Sequence, residues 1–224
     1  MEKLIPISDL FKKSFELYKP RMWAMFFLGL IAWVGSAVIF ALVGLLGIVS
    51  FIFVSENLKL GLLMALIFLV GLLLVIIINL WVQVALMFAV REENAKSSVK
   101  DLLMMTKGRL ASYYWIAFLN AVIILAGFIV FIIPGVILSI WFCFSQYAFV
   151  FEGTKGFAAL SRSKELVKGY WWPVLGRILI LAAITILISF ISKLGFLINS
   201  LFTMPFGIMY MYVIYEDLKR VKSL

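Results

Sequence analysis

Residues 58–90 read LKLGLLMALIFLVGLLLVIIINLWVQVALMFAV, 33 residues with one charge, Lys59. A bilayer-spanning helix needs about 20 predominantly apolar residues. Outward from this run lie five more: Met22–Val54, Tyr113–Ile133, Val136–Phe151, Trp172–Leu194 and Phe196–Tyr215. The pattern predicts an all-α polytopic membrane protein. Its six transmembrane helices form three hairpins, each preceded by a cytoplasmic amphipathic helix. No connection is long enough for a separate soluble domain, so residues 1–224 read as a single integral membrane domain.

The connections alternate in charge. The N-terminal segment carries Lys3, Lys12, Lys13, Lys19 and Arg21, and the second-to-third connection Arg91, Lys96, Lys100, Lys107 and Arg109. The fourth-to-fifth carries Lys155, Arg162, Lys164 and Lys168, and the tail Lys219, Arg220 and Lys222. The other three connections hold only Lys59 and Lys193. Cytoplasmic loops concentrate Lys and Arg, so both termini are expected in the cytoplasm and the chain in the plasma (inner) membrane.

Composition narrows the function. The chain is 65% hydrophobic, against about 45–50% in soluble domains, with a formal charge of +9. Such an excess suits topology and the anionic inner leaflet, and nucleic acid is not an expected partner. Histidine is absent and Cys143 is the one cysteine. The commonest acid–base group is therefore missing, and no intrachain disulfide or cysteine metal cluster can form. No nucleophile–base pair or phosphate-cradling loop is visible. The adjacent acids Glu92-Glu93 and Glu216-Asp217 read as solvated ends. No cofactor, metal or catalytic residue is called.

The hairpins repeat. Lys13-Ser14-Phe15-Glu16-Leu17-Tyr18-Lys19-Pro20 aligns with Arg162-Ser163-Lys164-Glu165-Leu166-Val167-Lys168-Gly169, and Trp23 with Trp172. At a second constant offset Asp101-Leu102 aligns with Asp9-Leu10, Thr106 with Ser14, and Trp115 with Trp23. A fixed offset signals internal repeats, with units near 1–92, 93–152 and 153–224. The repeated segments predict interfacial helices near 8–19, 98–109 and 155–168. Phe11, Ser14 and Tyr18 share one face, broadened by Phe15, and Leu160, Ser163 and Val167 share its counterpart, each face turned to lipid or protein. Glu16 and Glu165 each stand three residues from flanking cations, within pairing reach. Pro20 and Gly169 are expected to end their helices. Ser98 and Asp101 read as a capping pair. Ile133-Pro134-Gly135 reads as a tight turn, and Pro205 with Gly207 as a kink.

The stretch from Ile133 to Trp172 carries a family likeness. Its elements are Pro134-Gly135, Glu152-Gly153, an Ala-rich helix, Arg162-Ser163, Glu165-Leu166, Lys168-Gly169 and Trp171. The pattern resembles the membrane domain of some bacterial glycerophosphodiester phosphodiesterases and the related YciC-like inner-membrane group. Tyr212 to Lys219, YVIYEDLK, resembles that family's closing pattern. The resemblance implies fold and membrane location. It implies no catalytic residue, because the family's phosphodiesterase barrel has no counterpart here.

Three groups of candidate residues follow. Lys168, Trp171 and Arg177 could converge on a lipid headgroup, a guanidinium being well suited to phosphate. Arg177 could equally snorkel to the interface. Asn79, Gln83, Asn120, Gln146 and Asn199 are amides inside apolar runs. They either line a path or bond helix to helix. Glu152 either holds a headgroup amine or cation, or caps a helix or pairs with Lys155. The chain therefore reads as a non-enzymatic, lipid-interacting membrane protein with an envelope-maintenance or accessory role. The alternative is a small transporter or flippase-like carrier of a lipid or amphipathic solute. The partners called for are membrane lipids of the anionic inner leaflet, with a protein partner or a homo-oligomer as further candidates.

Overall fold

The computed structural model describes residues 3–53, 58–91, 97–191 and 195–223. Ser55, Lys193, Lys96 and the Glu92-Glu93 pair lie outside them. All regular structure among the described residues is helical: α1 (Ile7–Tyr18), α2 (Met22–Phe53), α3 (Leu58–Ala89), α4 (Val99–Met105), α5 (Leu110–Val130), α6 (Ile132–Phe142), α7 (Ser145–Glu152), α8 (Phe157–Val167), α9 (Trp171–Ile191), α10 (Gly195–Ile198) and α11 (Met204–Lys222). Among the described residues five stretches are long and apolar enough to cross a membrane: Ile7–Ile48, Lys59–Ala89, Leu110–Val130, Ile132–Glu152 and Trp171–Phe190.

The described part of the sixth apolar run is helical throughout: α10 passes through a five-residue π turn at Asn199–Thr203 into α11 without a break. Met209, Tyr210, Tyr215 and Leu218 of α11 are fully buried. At the expected kink, Pro205 follows the π turn directly and falls in the first turn of α11. Proline lacks the N–H of a regular helical bond and crowds the preceding turn, and here that preceding turn is the wider π turn.

The core gathers at the end of the bundle where the two termini meet. It joins α1, α4, α7, α8 and α11 to the near ends of α2, α3, α5 and α9. On α2 the core stops at Ala32, and on α3 it resumes at Val75. Between those points the hairpin exposes Val38, Phe40, Leu45, Leu62, Leu66 and Phe68. In water such a surface would be unfavourable by about 25 cal/mol per Å² of apolar area. Next to acyl chains that cost disappears.

α1 runs antiparallel to α11. The Ile5 N–H donates to Asp217, the Phe11 ring lies 4.9 Å from that of Tyr210, and Tyr18 packs edge-on against Phe206 at 5.8 Å. The buried face is Leu10, Ser14 and Tyr18, turned to protein. Phe15 is exposed instead, since it lies about 100° round the helix from Ser14. Pro20 does not end the helix. One 3₁₀ turn, Lys19–Arg21, carries the chain into α2 with Pro20 in its first turn. Gly169 does end α8, at φ 90°.

The repeated positions share their burial. Leu10, Leu102 and Ala159 are buried, as are Ser14, Thr106 and Ser163. Trp23, Trp115 and Trp172 are all exposed. In the middle unit Ser98 and Asp101 form the expected capping box, each side chain meeting the other's backbone N–H. α4 is nonetheless short and gives way at Thr106 to a turn containing Gly108, φ 85°.

The α5–α6 turn differs from the expected Pro-Gly turn. The chain reverses at Phe131, which is extended, and Pro134 stands in the first turn of α6. Gly135 serves packing: a Cβ there would sit 2.4 Å from the Phe128 ring. Ile129 to Ile133 at this tip are all strongly exposed.

Candidate functional site

A groove of about 640 Å³ runs between α6 and α9. Val136, Ile137, Trp141 and Leu175 make its apolar lining, with Lys168, Trp171 and Trp172 where α8 turns into α9. The reversal at Gly169 lets α9 pack back along α6. The Trp171 indole then donates to the Ile137 carbonyl at 3.4 Å, and its ring meets Trp172 edge-on at 4.7 Å. The Lys168 carbonyl accepts from the Lys222 ammonium at 2.8 Å, tying the C-terminal segment to the same corner. Lys164 lies 4.6 Å over the Trp141 ring. An apolar slot with two tryptophans and an ammonium suits an acyl chain below a charged headgroup.

Arg177 does not join this groove. Its guanidinium is buried and donates to the Ile5 carbonyl at 2.7 Å. The Ile5 N–H donates to Asp217 Oδ2 at 2.9 Å, and Arg220 donates to Asp217 Oδ1 at 2.7 Å. Asp217 and Arg177 thus hold the two successive peptide groups that flank Ile5, one by its N–H and the other by its carbonyl. The expected convergence of Lys168, Trp171 and Arg177 holds only for the first two. The reason is that the N-terminal segment supplies a carbonyl acceptor within reach of Arg177.

The amides lie apart. Asn79 donates to Ser36 Oγ at 2.9 Å, bonding α3 to α2. Gln83 is exposed. Asn120 on α5 donates to the Phe142 carbonyl and Ser145 Oγ, each at 3.3 Å. Asn199 donates to the Thr185 carbonyl at 3.2 Å and to Ser189 Oγ. Gln146 is half-buried on α7. Asn79, Asn120 and Asn199 join different helix pairs, so their placement matches helix-to-helix bonding rather than one lined path.

The fourth apolar run is broken between α6 and α7. Side chains take up the backbone groups this frees. Ser163 Oγ donates to the Trp141 carbonyl at 2.7 Å and accepts the Phe144 N–H at 3.0 Å. Cys143 Sγ donates to the Ile140 carbonyl at 3.1 Å, and Ser145 Oγ to that of Phe142 at 2.9 Å. Interrupted helices persist in apolar surroundings only when such groups are satisfied.

Glu152 pairs with Arg162, not Lys155. Arg162 Nε donates to Oε2 at 2.7 Å and Nη2 to Oε1 at 3.3 Å. Tyr215 Oη donates to Oε1 at 2.6 Å, and Lys219 approaches it at 3.9 Å. The carboxylate bond holds the Arg162 guanidinium above its ordinary pKa. This knot joins α7, α8 and α11. Only Glu152-Gly153 hinted at it in the sequence: Gly153, φ 72°, caps α7 and turns the chain toward α8.

Comparison with known proteins gives a family and no relatives. No curated protein matches the chain, and no solved structure does. One family model matches residues 102–215, from α4 to Tyr215, and so takes in the groove, the break and the Glu152 knot. That match covers just over half of the chain, which therefore belongs to the family of the domain of unknown function DUF7847.

Proposed function

We propose that this chain is a non-enzymatic integral protein of the inner membrane that binds lipid, in an envelope-maintenance or accessory role. It crosses six times with both ends in the cytoplasm. The groove between α6 and α9 carries the reading: it is apolar along its length and bears Lys168, Trp171 and Trp172 where a headgroup would stand. The one-sided distribution of Lys and Arg supports the orientation. Tryptophans favour the membrane interface, and exposed Trp23, Trp115 and Trp172 supply them in every hairpin. The likeness to the phosphodiesterase membrane domain and the YciC-like group supports the location and nothing more.

A carrier is the second reading. The α6–α7 break favours it, because transporters bind substrates at interrupted helices. Against it, the carbonyls of Ile140, Trp141 and Phe142 at the break already accept from side chains. Native mass spectrometry of detergent-purified protein tests the first reading. Retention of phosphatidylglycerol or cardiolipin should fall in Trp171→Ala/Trp172→Ala and partly in Lys168→Ala. Unchanged retention in both variants would reject the groove. Cysteine labelling at Ser98 from outside the cell would reject the orientation.

A further inference from the structure

A second cavity, of about 430 Å³, opens where the three repeat units meet. Ligand pockets span about 300–1,000 Å³. It is lined by Arg91 after α3, Gly108, Arg109 and Ser112 around the start of α5, and Gly153 and Lys155 after α7. Among the described residues no carboxylate lines it, and neither Arg109 nor Lys155 enters an ion pair. Arg109 is steadied by the buried Phe88 ring, 5.2 Å away. Gly108 and Gly153 hold positive φ and leave the walls open, a Cβ at either meeting nothing within 4 Å.

Cations contributed by separate connections repel one another, and an anion between them relieves that repulsion. A neighbouring cavity shares Ser112 and Lys155 and continues to Trp115. Trp115 is exposed and stacks on exposed Phe118 at 5.7 Å. The basic cavity therefore leads sideways onto the aromatic surface of α5. We propose that Arg109, Ser112 and Lys155 form a phosphate-binding site separate from the α6–α9 groove. Its ligand is a phosphate group, carried by an anionic lipid or by a soluble phosphate compound. The site does not rest on the groove.

The test uses the full chain in detergent, with phosphatidylglycerol titrated and read by native mass spectrometry. Arg109→Gln/Lys155→Gln should weaken binding by at least about tenfold, as the loss of two cations near a phosphate implies. Lys12→Gln/Lys13→Gln removes the same charge from exposed positions on α1 and should change it less than about threefold. Equal losses in the two double variants would overturn the site, leaving net charge alone as the cause. Lys155→Gln alone, in an exposed connection, should cost about fivefold. It guards against misfolding of the double variant, and full binding by it would also overturn the site. Added inorganic phosphate then assigns the source. Displacement of the lipid that Lys155→Gln abolishes means soluble phosphate is also taken. Lipid binding that phosphate leaves intact, yet that falls in Lys155→Gln, means the ligand is the lipid.

Discussion

Ser163 Oγ accepts the N–H of Phe144 at 3.0 Å, inserting a side chain of α8 into the gap between α6 and α7. The same hydroxyl donates to the Trp141 carbonyl at 2.7 Å. One atom thereby serves both ends of a broken helix. Ser163→Ala should leave both groups unpaired and lower stability by about 1–3 kcal/mol. Thermal unfolding in detergent reads the loss. Ser14→Ala should cost less, because the Ser14 hydroxyl only donates to the Leu10 carbonyl of its own helix, which already has a helical donor.

The Glu152–Arg162 pair should show measurable coupling. Both oxygens of the carboxylate are engaged and its side chain is mostly shielded. A double-mutant cycle with Glu152→Ala and Arg162→Ala is expected to return about 1 kcal/mol or more. The Arg162–Glu165 pair stands at 3.7 Å with Glu165 largely exposed. Its cycle should return less than about 0.5 kcal/mol, the usual value for exposed helix pairs.

The Ile5 N–H should exchange slowly. It is held by Asp217, and the carbonyl of the next peptide group by Arg177. Hydrogen exchange followed by mass spectrometry should show Asp217→Ala speeding exchange in the peptide around Ile5. Asp217→Asn keeps an oxygen acceptor and should retain much of the protection. Equal protection in wild type and Asp217→Ala would mean that the bond does not hold the segment.

Gly135→Ala should destabilise the α5–α6 hairpin by about 1–3 kcal/mol, the usual cost of overpacking. The new methyl would meet the Phe128 ring at 2.4 to 2.7 Å. Phe128→Leu in the same chain should restore part of the loss. Gly176→Ala is the control, since a Cβ there meets nothing within 4 Å.

What the sequence determined by itself were the local features. Hydropathy is a property of a window of residues, so the limits of α2 and α3 follow from their apolar runs within a few residues. The Ser98–Asp101 capping box was legible because both partners lie within one helical turn. The constant offset pairs Ser14 with Thr106 and with Ser163, and all three are buried. Tertiary structure decided the partners. Arg177 and Ile5 are 172 residues apart, and Glu152 and Tyr215 are 63 apart. No spacing rule connects such residues. Whether Arg177 met lipid phosphate or a carbonyl depended on where α1 docked against α11. The break in the fourth run was equally hidden, because nothing between Trp141 and Ser145 is a proline or glycine. It exists because Ser163, Asn120 and Ser145 arrive to satisfy the backbone groups it frees.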